Sequence, residues 1–281
     1  GLSGALDVAS RLRAALAEPF GVEGVELDID ASIASPTPQA GGAGAAGAGT
    51  GPAIGVTAGR LLDWGFANSG KAHALNRGLK VANGEIIVAL DADTLFAPET
   101  IARLLRWFGD PKVGAVAGNA VVGNRLNLIT RWQALEYVTA QNLERRALTQ
   151  FEAITVVPGA VGAWRRSALD DVGGYPVDTL AEDQDLTIAI QRQGWRVAYD
   201  VEAIALTEAP ETFAALGKQR YRWSFGTLQC LWKHRAVLKS GRPRGLAWFG
   251  MPQAWLFQIA FAAVSPIIDL ALLLSILGTA L

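Results

Sequence analysis

From Gly245 to Leu281 the only ionisable side chain is Asp269, and no other stretch constrains the fold as strongly. Trp248 to Ser265 approaches the roughly 20 apolar residues needed to cross a hydrocarbon core. Trp248, Phe249 and Trp255 stand where interfacial aromatics belong. Pro266 is expected to kink or end this span, and Ile267 to Leu281 to begin a second. A buried helix of a large soluble domain is the alternative for the same composition. Eight Lys and Arg residues lie between Lys218 and Arg244, with no acid between Thr212 and Ile268. That bias predicts that the residues before the span face the cytoplasm, at the cell (inner) membrane.

The rest of the composition excludes more than it assigns. With 25 basic and 26 acidic residues, the chain has no charge excess to suit a nucleic acid. One cysteine, Cys230, excludes an internal disulfide framework and a cysteine-rich metal site. A chain of 281 residues can hold one α/β domain and a smaller unit. It starts at Gly1 and stops at Leu281 inside an apolar run, so it reads as a fragment, with no signal peptide visible. Residues 1–60 include a Gly/Ala tract from Gly41 to Gly51 that reads as flexible. Val22 to Ile29 is one strand candidate there.

From Ser69 the pattern alternates. Lys71 to Ala82 carries Ala72, Leu75, Leu79 and Ala82 at helical spacing. After the Asn83-Gly84 turn, Glu85 to Leu90 reads as a buried parallel strand. Pro98 opens a helix to about Phe108. Further strands are expected at Val113 to Ala117, Ala153 to Val157, Trp195 to Tyr199 and Ala203 to Leu206. Helices are expected at Leu128 to Leu148, with Trp132, Leu135, Val138 and Leu143 along it, and at Arg166 to Val172, Ala181 to Gln193 and Glu211 to Lys233. Alternation of this kind predicts an α/β layer fold. Ligands in such sheets bind outside the carboxyl ends of strands, where Asp91 and Asp93 fall.

Three groups could carry chemistry. Asp91 and Asp93, leaving a strand two positions apart, can hold Mg²⁺ against a diphosphate or merely cap a turn. Glu182 and Asp183, with Asp185 following, can favour a helix N-terminus or supply a general base. Gln219-Arg220-Tyr221-Arg222-Trp223 can offer guanidinium to phosphate and indole to sugar, or can line a basic helix at a membrane surface. His73 and His234 are isolated, and polar or packing roles suit both.

In this order, the three groups resemble the signature of family 2 glycosyltransferases, closest to the processive membrane synthases of cellulose, chitin, hyaluronan and poly-N-acetylglucosamine. Gly70-Lys71-Ala72-His73-Ala74-Leu75-Asn76, Val157-Pro158-Gly159-Ala160 and Trp164-Arg165-Arg166 continue the resemblance, which covers Ser69 to Leu281. It implies a GT-A-like nucleotide-sugar-binding domain with a mixed, mainly parallel sheet, an amphipathic interface helix and a C-terminal transmembrane helix. Residues 61–210 would be the catalytic core, 211–244 the interface helix region and 245–281 the membrane segment, truncated. The resemblance makes Asp183 the catalytic base and Asp93 the ligand of Mg²⁺ or Mn²⁺. It puts Lys71, Asp91, Gln219 and Arg222 on the donor, and Gly159 and Trp223 on the acceptor.

The implied reaction is inverting transfer of a sugar, N-acetylglucosamine or glucose, from a UDP-sugar to the end of a growing β-linked polysaccharide. The implied partners are the donor, the polysaccharide acceptor, the lipid bilayer and accessory membrane subunits. A non-processive transferase to a lipid carrier is the alternative within the class. A catalytically silent membrane scaffold is the alternative outside it, because the two opening strands of the family have no clear counterpart in residues 1–60.

Overall fold

The computed structural model describes residues 20–22, 25–27, 70–91 and 93–280. The Gly/Ala tract lies outside them. Of the Val22 to Ile29 strand, β2 (Val25–Leu27) is described, paired antiparallel with β1 (Phe20–Val22).

Five further strands form one sheet: β3 (Ile86–Ala89), β4 (Leu95–Phe96), β5 (Val113–Val122), β6 (Gly162–Arg165) and β7 (Arg196–Thr207), in the order β3-β6-β5-β7-β4. The sheet is mixed, as expected, but β5–β7 is the one parallel pairing described. Among the described strands parallel pairing does not predominate, because β6 inserts antiparallel between β3 and β5. So β3, read as a buried parallel strand, pairs antiparallel with β6 and is only partly buried over most of its length.

Helices cover both faces. On one, α1 (Lys71–Val81), α5 (Arg166–Val172) and α6 (Glu182–Arg192) pack Leu75, Leu79, Leu169, Leu186 and Ile190 against Ala115, Ala117 and Trp164 of the sheet. On the other lie α2 (Thr100–Leu105) and α3 (Leu128–Glu136), which continues through a π-helical segment (Tyr137–Leu143) into α4 (Glu144–Thr149). These bury Leu104, Ala134 and Tyr137 against Val116 and Val122. The alternation of β5 between the two clusters is the period-2 signature of a central strand.

Three local expectations are corrected. Pro98 lies in a turn before α2, and the helix becomes 3₁₀ over Arg106–Gly109. Ala153 to Val157 is largely buried but pairs with no strand among the described residues. Side chains of α6 take its backbone groups, with Gln191 Nε2 donating to Ile154 O (2.7 Å) and Thr187 Oγ1 accepting from Val157 N (2.9 Å). The two strands expected around 195–206 are a single β7, its register against β5 shifting between Tyr199 and Ile204. Trp195 stays outside it, donating to Asp171 (2.8 Å). Trp132, Leu135, Val138 and Leu143 all face outward; the helix turns Gln133, Ala134 and Tyr137 to the sheet instead.

The C-terminal half begins with α7 (Phe213–Lys233), capped by Thr212 Oγ1 accepting from Ala215 N, and short α8 (Ala236–Ser240). An unbroken helix follows: π-helical Leu246–Gly250, α9 (Met251–Gln253), π-helical Ala254–Ala260 and α10 (Phe261–Ala280). Leu246 to Ile276, 31 residues, is long and apolar enough to cross a membrane, the one such helix among the described residues. Pro266 lies inside it, so the expected break into two spans does not occur. At 1.5 Å per residue it reaches about 46 Å, more than the ~30 Å hydrocarbon core needs. The excess packs on protein: Leu246, Ala247, Met251 and Ala254 are buried with Ile188, Cys230 and Leu231. Trp248 is exposed, whereas Trp255, expected at the interface, packs against this cluster. Side chains from Ala260 to Leu272 all face outward.

Candidate active site

Backbone geometry gathers the site at the ends of β3 and β6. Lys71 opens α1, Asp91 follows β3, Gly159 lies in the turn before β6, and Glu182 and Asp183 open α6. Lys71 Nζ reaches Asp91 Oδ1 at 2.7 Å and Glu182 Oε1 at 3.1 Å. Gly159 N donates to Asp183 Oδ2 (3.2 Å) and Gln184 N to Asp183 Oδ1 (2.8 Å). A Cβ on Gly159 would displace the Lys71 ammonium from its place between the acids. Asn76 ties the middle of α1 to the chain after α5: its Oδ1 accepts from Tyr175 N (2.8 Å) and its Nδ2 donates to Tyr175 O (2.7 Å).

Charge tunes the cluster. Burial pushes the Asp183 carboxyl up to about 6, and the Glu182 charge adds to it. Lys71 and the two backbone N–H groups offset part of the rise. Lys71 itself stays above the ordinary lysine range despite burial, because Asp91, Glu182 and Asp183 surround it. Asp183 is therefore a carboxylate with raised basicity that is still ionised at neutral pH.

Asp93 differs from Asp91. It is exposed, and its carboxyl is raised by desolvation first and then by the charges of Asp91 and Glu208. Asp91 is engaged by Lys71, which leaves Asp93 as the carboxylate facing an acidic surround. No cluster of three or more metal-ligating side chains occurs among the described residues. One carboxylate completed by diphosphate oxygens and water is the donor set Mg²⁺ and Mn²⁺ accept. The residues present fit such an ion.

Gln219, Arg222 and Trp223 lie on α7. The helix itself docks on Leu180 and Ala181, just before Asp183. Gly226 packs on Ala181, where a Cβ would come 2.8 Å from Ala181 Cβ, and Leu180 N donates to Gln229 Oε1 (3.0 Å). Gly226 is three residues past Trp223, about 4.5 Å along the axis. We expect Gly226→Val to push α7 away from Ala181 at an overpacking cost of about 1–3 kcal/mol. Denaturation midpoints and turnover should both fall.

Asp185, grouped in the sequence with the two acids before it, has a different position. Its carboxylate is buried and bonded to Thr179 (2.9 Å), Lys233 (2.8 Å) and His234 Nε2 (2.7 Å). Arg192 can only donate, so His234 Nδ1 accepts from it (3.0 Å) and Nε2 carries the proton to Asp185. Burial alone would raise the Asp185 carboxyl, but these donors hold it below the usual range. A depressed carboxyl stabilises the fold above its unfolded value and loses that contribution as pH falls through the folded value. Asp185→Ala should cost about 1–3 kcal/mol by leaving the buried His234 Nε2–H without an acceptor, while Lys233 keeps Asp178 (2.7 Å). Chemical denaturation of the two proteins side by side at neutral pH measures this.

Trp164-Arg165-Arg166 is structural. Arg165 donates to Val113 O and Phe108 O, and Arg166 donates to Gly84 O and Ala82 O at the end of α1. Periodicity and motif spacing did not expose the Glu208 charge facing Asp93, or the Lys71 bridge.

A family model described as glycosyl transferase family group 2 matches residues 86–281. The chain belongs to this family. Among curated relatives, poly-beta-1,6-N-acetyl-D-glucosamine synthase of Staphylococcus aureus (strain COL) is 34% identical over 160 residues, 57% of this chain and 39% of that protein. The Staphylococcus epidermidis protein of the same name is 33% identical over the same span. The matched region is thus about two fifths of the relatives' length. Among solved structures, the mannosyltransferase PcManGT from Pyrobaculum calidifontis, in complex with GDP-Man and Mn²⁺, is similar with a TM-score of 0.54 and 27% identity, over 79% of this chain and 62% of that one. The family 2 chain is therefore a glycosyltransferase domain of GT-A-like fold.

Proposed function

We propose that this protein transfers N-acetylglucosamine from its UDP-sugar to the end of a growing β-linked polysaccharide, with inversion at the anomeric carbon. The observation that carries the reading is Asp183, held by two backbone N–H groups and tuned to about 6, beside the Lys71–Asp91 pair. Asp183 takes the proton from the acceptor hydroxyl as it attacks. Lys71 and Asp91 orient the donor, Gln219 and Arg222 bind its diphosphate, and Gly159 and Trp223 line the acceptor path. Asp93 would hold Mg²⁺ or Mn²⁺, which supplies positive charge to the leaving diphosphate. The choice of sugar follows the staphylococcal relatives, which are poly-beta-1,6-N-acetyl-D-glucosamine synthases.

The bilayer is the proposed setting. The exposed apolar helix supports it, as do outward Leu128, Trp132, Leu135 and Leu143 on the α3–α4 helix, which touches the apolar helix where Gln253 Nε2 donates to Glu144 (2.8 Å). The catalytic residues would lie on the cytoplasmic side, with accessory membrane subunits joining outside this chain.

The test is incorporation of radiolabelled UDP-N-acetylglucosamine and UDP-glucose by the full chain in lipid, with and without Mg²⁺ or Mn²⁺. Metal-dependent growth of a long polymer from the first donor is expected. Incorporation of single sugars onto a lipid carrier would replace the processive reading, and absence of donor binding would overturn the enzymatic one.

A further inference from the structure

Glu136, on α3, and Arg220, on α7, are 84 residues apart in sequence and meet in a two-pronged ion pair. Arg220 Nη1 lies 2.5 Å from Glu136 Oε1, and Nη2 lies 2.6 Å from Oε2. The same guanidinium spreads over the Trp223 indole, with its Cζ 4.7 Å from the ring centroid. Both ends of the pair are partly exposed, at 31% and 35% of their side-chain surface. An ordinary ion pair in that setting contributes little to stability. Its geometry does something else. Two parallel N–H···O bonds fix the guanidinium plane, because the fork matches a carboxylate in one orientation only. A fixed plane lying against an indole in turn selects one ring orientation through cation–π attraction and stacking.

Glu136 and α3 thus reach Trp223 through Arg220, although Glu136 lies outside every motif in the sequence. Trp223 itself remains 37% exposed, so part of its surface is open to a ligand. The open face of an indole suits the C–H face of a sugar ring, and its tilt decides how that ring sits. Trp223 lies one helical turn before Gly226, where α7 is pressed on Ala181 next to Asp183.

We propose that Glu136 is a positioning residue for the acceptor sugar, acting through the Arg220 guanidinium on the Trp223 ring. The inference rests on the reading of Trp223 as an acceptor contact and adds to it the device that orients the ring. Neither Glu136 nor Arg220 touches the reacting atoms.

The experiment measures donor and acceptor KM and kcat separately, with the full chain in lipid and a short β-linked N-acetylglucosamine oligomer as acceptor. Glu136→Gln should raise acceptor KM about 5- to 10-fold and leave donor KM unchanged, and Glu136→Asp should recover much of the loss. Adding Glu136→Gln to Trp223→Ala should cost nothing further. The exchanged pair Glu136→Arg with Arg220→Glu separates positioning from scaffolding. It restores an ion pair between the helices but places a carboxylate beside the indole. Acceptor KM that stays high in the exchanged pair supports positioning; full recovery there overturns it and makes the pair a structural clasp. If Trp223→Ala raises acceptor KM and Glu136→Gln does not, the relay is wrong while the acceptor reading stands. If Trp223→Ala leaves acceptor KM unchanged, both fall together.

Discussion

Asp183→Asn should reduce sugar transfer about 10²- to 10⁴-fold, the range over which a positioned general base acts, while UDP-sugar binding stays within a few fold. The base is the group whose loss removes the proton acceptor and nothing of the donor contacts. Both Asp183 oxygens accept backbone N–H groups, so either rotamer of asparagine turns its NH₂ against a donor. Asp183→Ala with added formate gives a second route, because a small carboxylate entering the gap should restore part of the rate. The wild-type profile of kcat/KM should fall on the acid side with a midpoint at about 6, where the carboxyl takes up its proton. Between 3.8 and about 6 the folded state holds a proton that the unfolded chain releases, so this group weakens the fold as pH rises through that window. Replacing Asp183 should remove that slope from the pH dependence of stability. Transfer at near wild-type rate by Asp183→Asn would mean that another group deprotonates the acceptor.

Lys71→Met should be nearly as damaging, and for an electrostatic reason. The ammonium sits between Asp91 and Glu182 with Asp183 nearby, and removing it leaves three carboxylates facing one another without a counter-charge. At an effective dielectric of about 20, unit charges 4 Å apart interact by roughly 4 kcal/mol, so the cluster cannot absorb the loss. Lys71 lowers the Asp183 carboxyl, and without it that carboxyl rises above about 6. The acid limb of the rate profile should move to higher pH, and activity at pH 7 should drop about 10- to 100-fold. Part of the loss should return at pH 8 to 9. Lys71→Arg keeps the charge and should keep the wild-type midpoint even where its bulk lowers the rate beside Gly159. An unchanged midpoint in Lys71→Met would show that the ammonium does not tune the base.

Much of this chain is written locally. Helices α1, α5, α6 and α7 lie within a residue or two of the ranges read from sequence, and the spaced Ala72, Leu75 and Leu79 of α1 pack on the core. The apolar C-terminal helix follows from composition alone. Asp91 and Asp183 stand out in sequence because one follows a strand and the other opens a helix, in the motif order that resembles family 2. Tertiary structure decided the rest, since it depends on neighbours far along the chain. The sheet decides which face of α3 is buried, so Gln133 and Ala134 turn inward while Trp132 and Leu135 stay exposed. Ala153 to Val157 looks like a strand, but Thr187 and Gln191 reach its backbone before any ladder can. Pro266 fails to end the apolar helix, which continues unbroken through it. Lys71, Asp91, Gly159 and Glu182 span more than a hundred residues of sequence and become one charged cluster only when α1, β3 and α6 converge on the same end of the sheet. Charges interact through space, over a few ångströms, and a sequence orders them only along the chain.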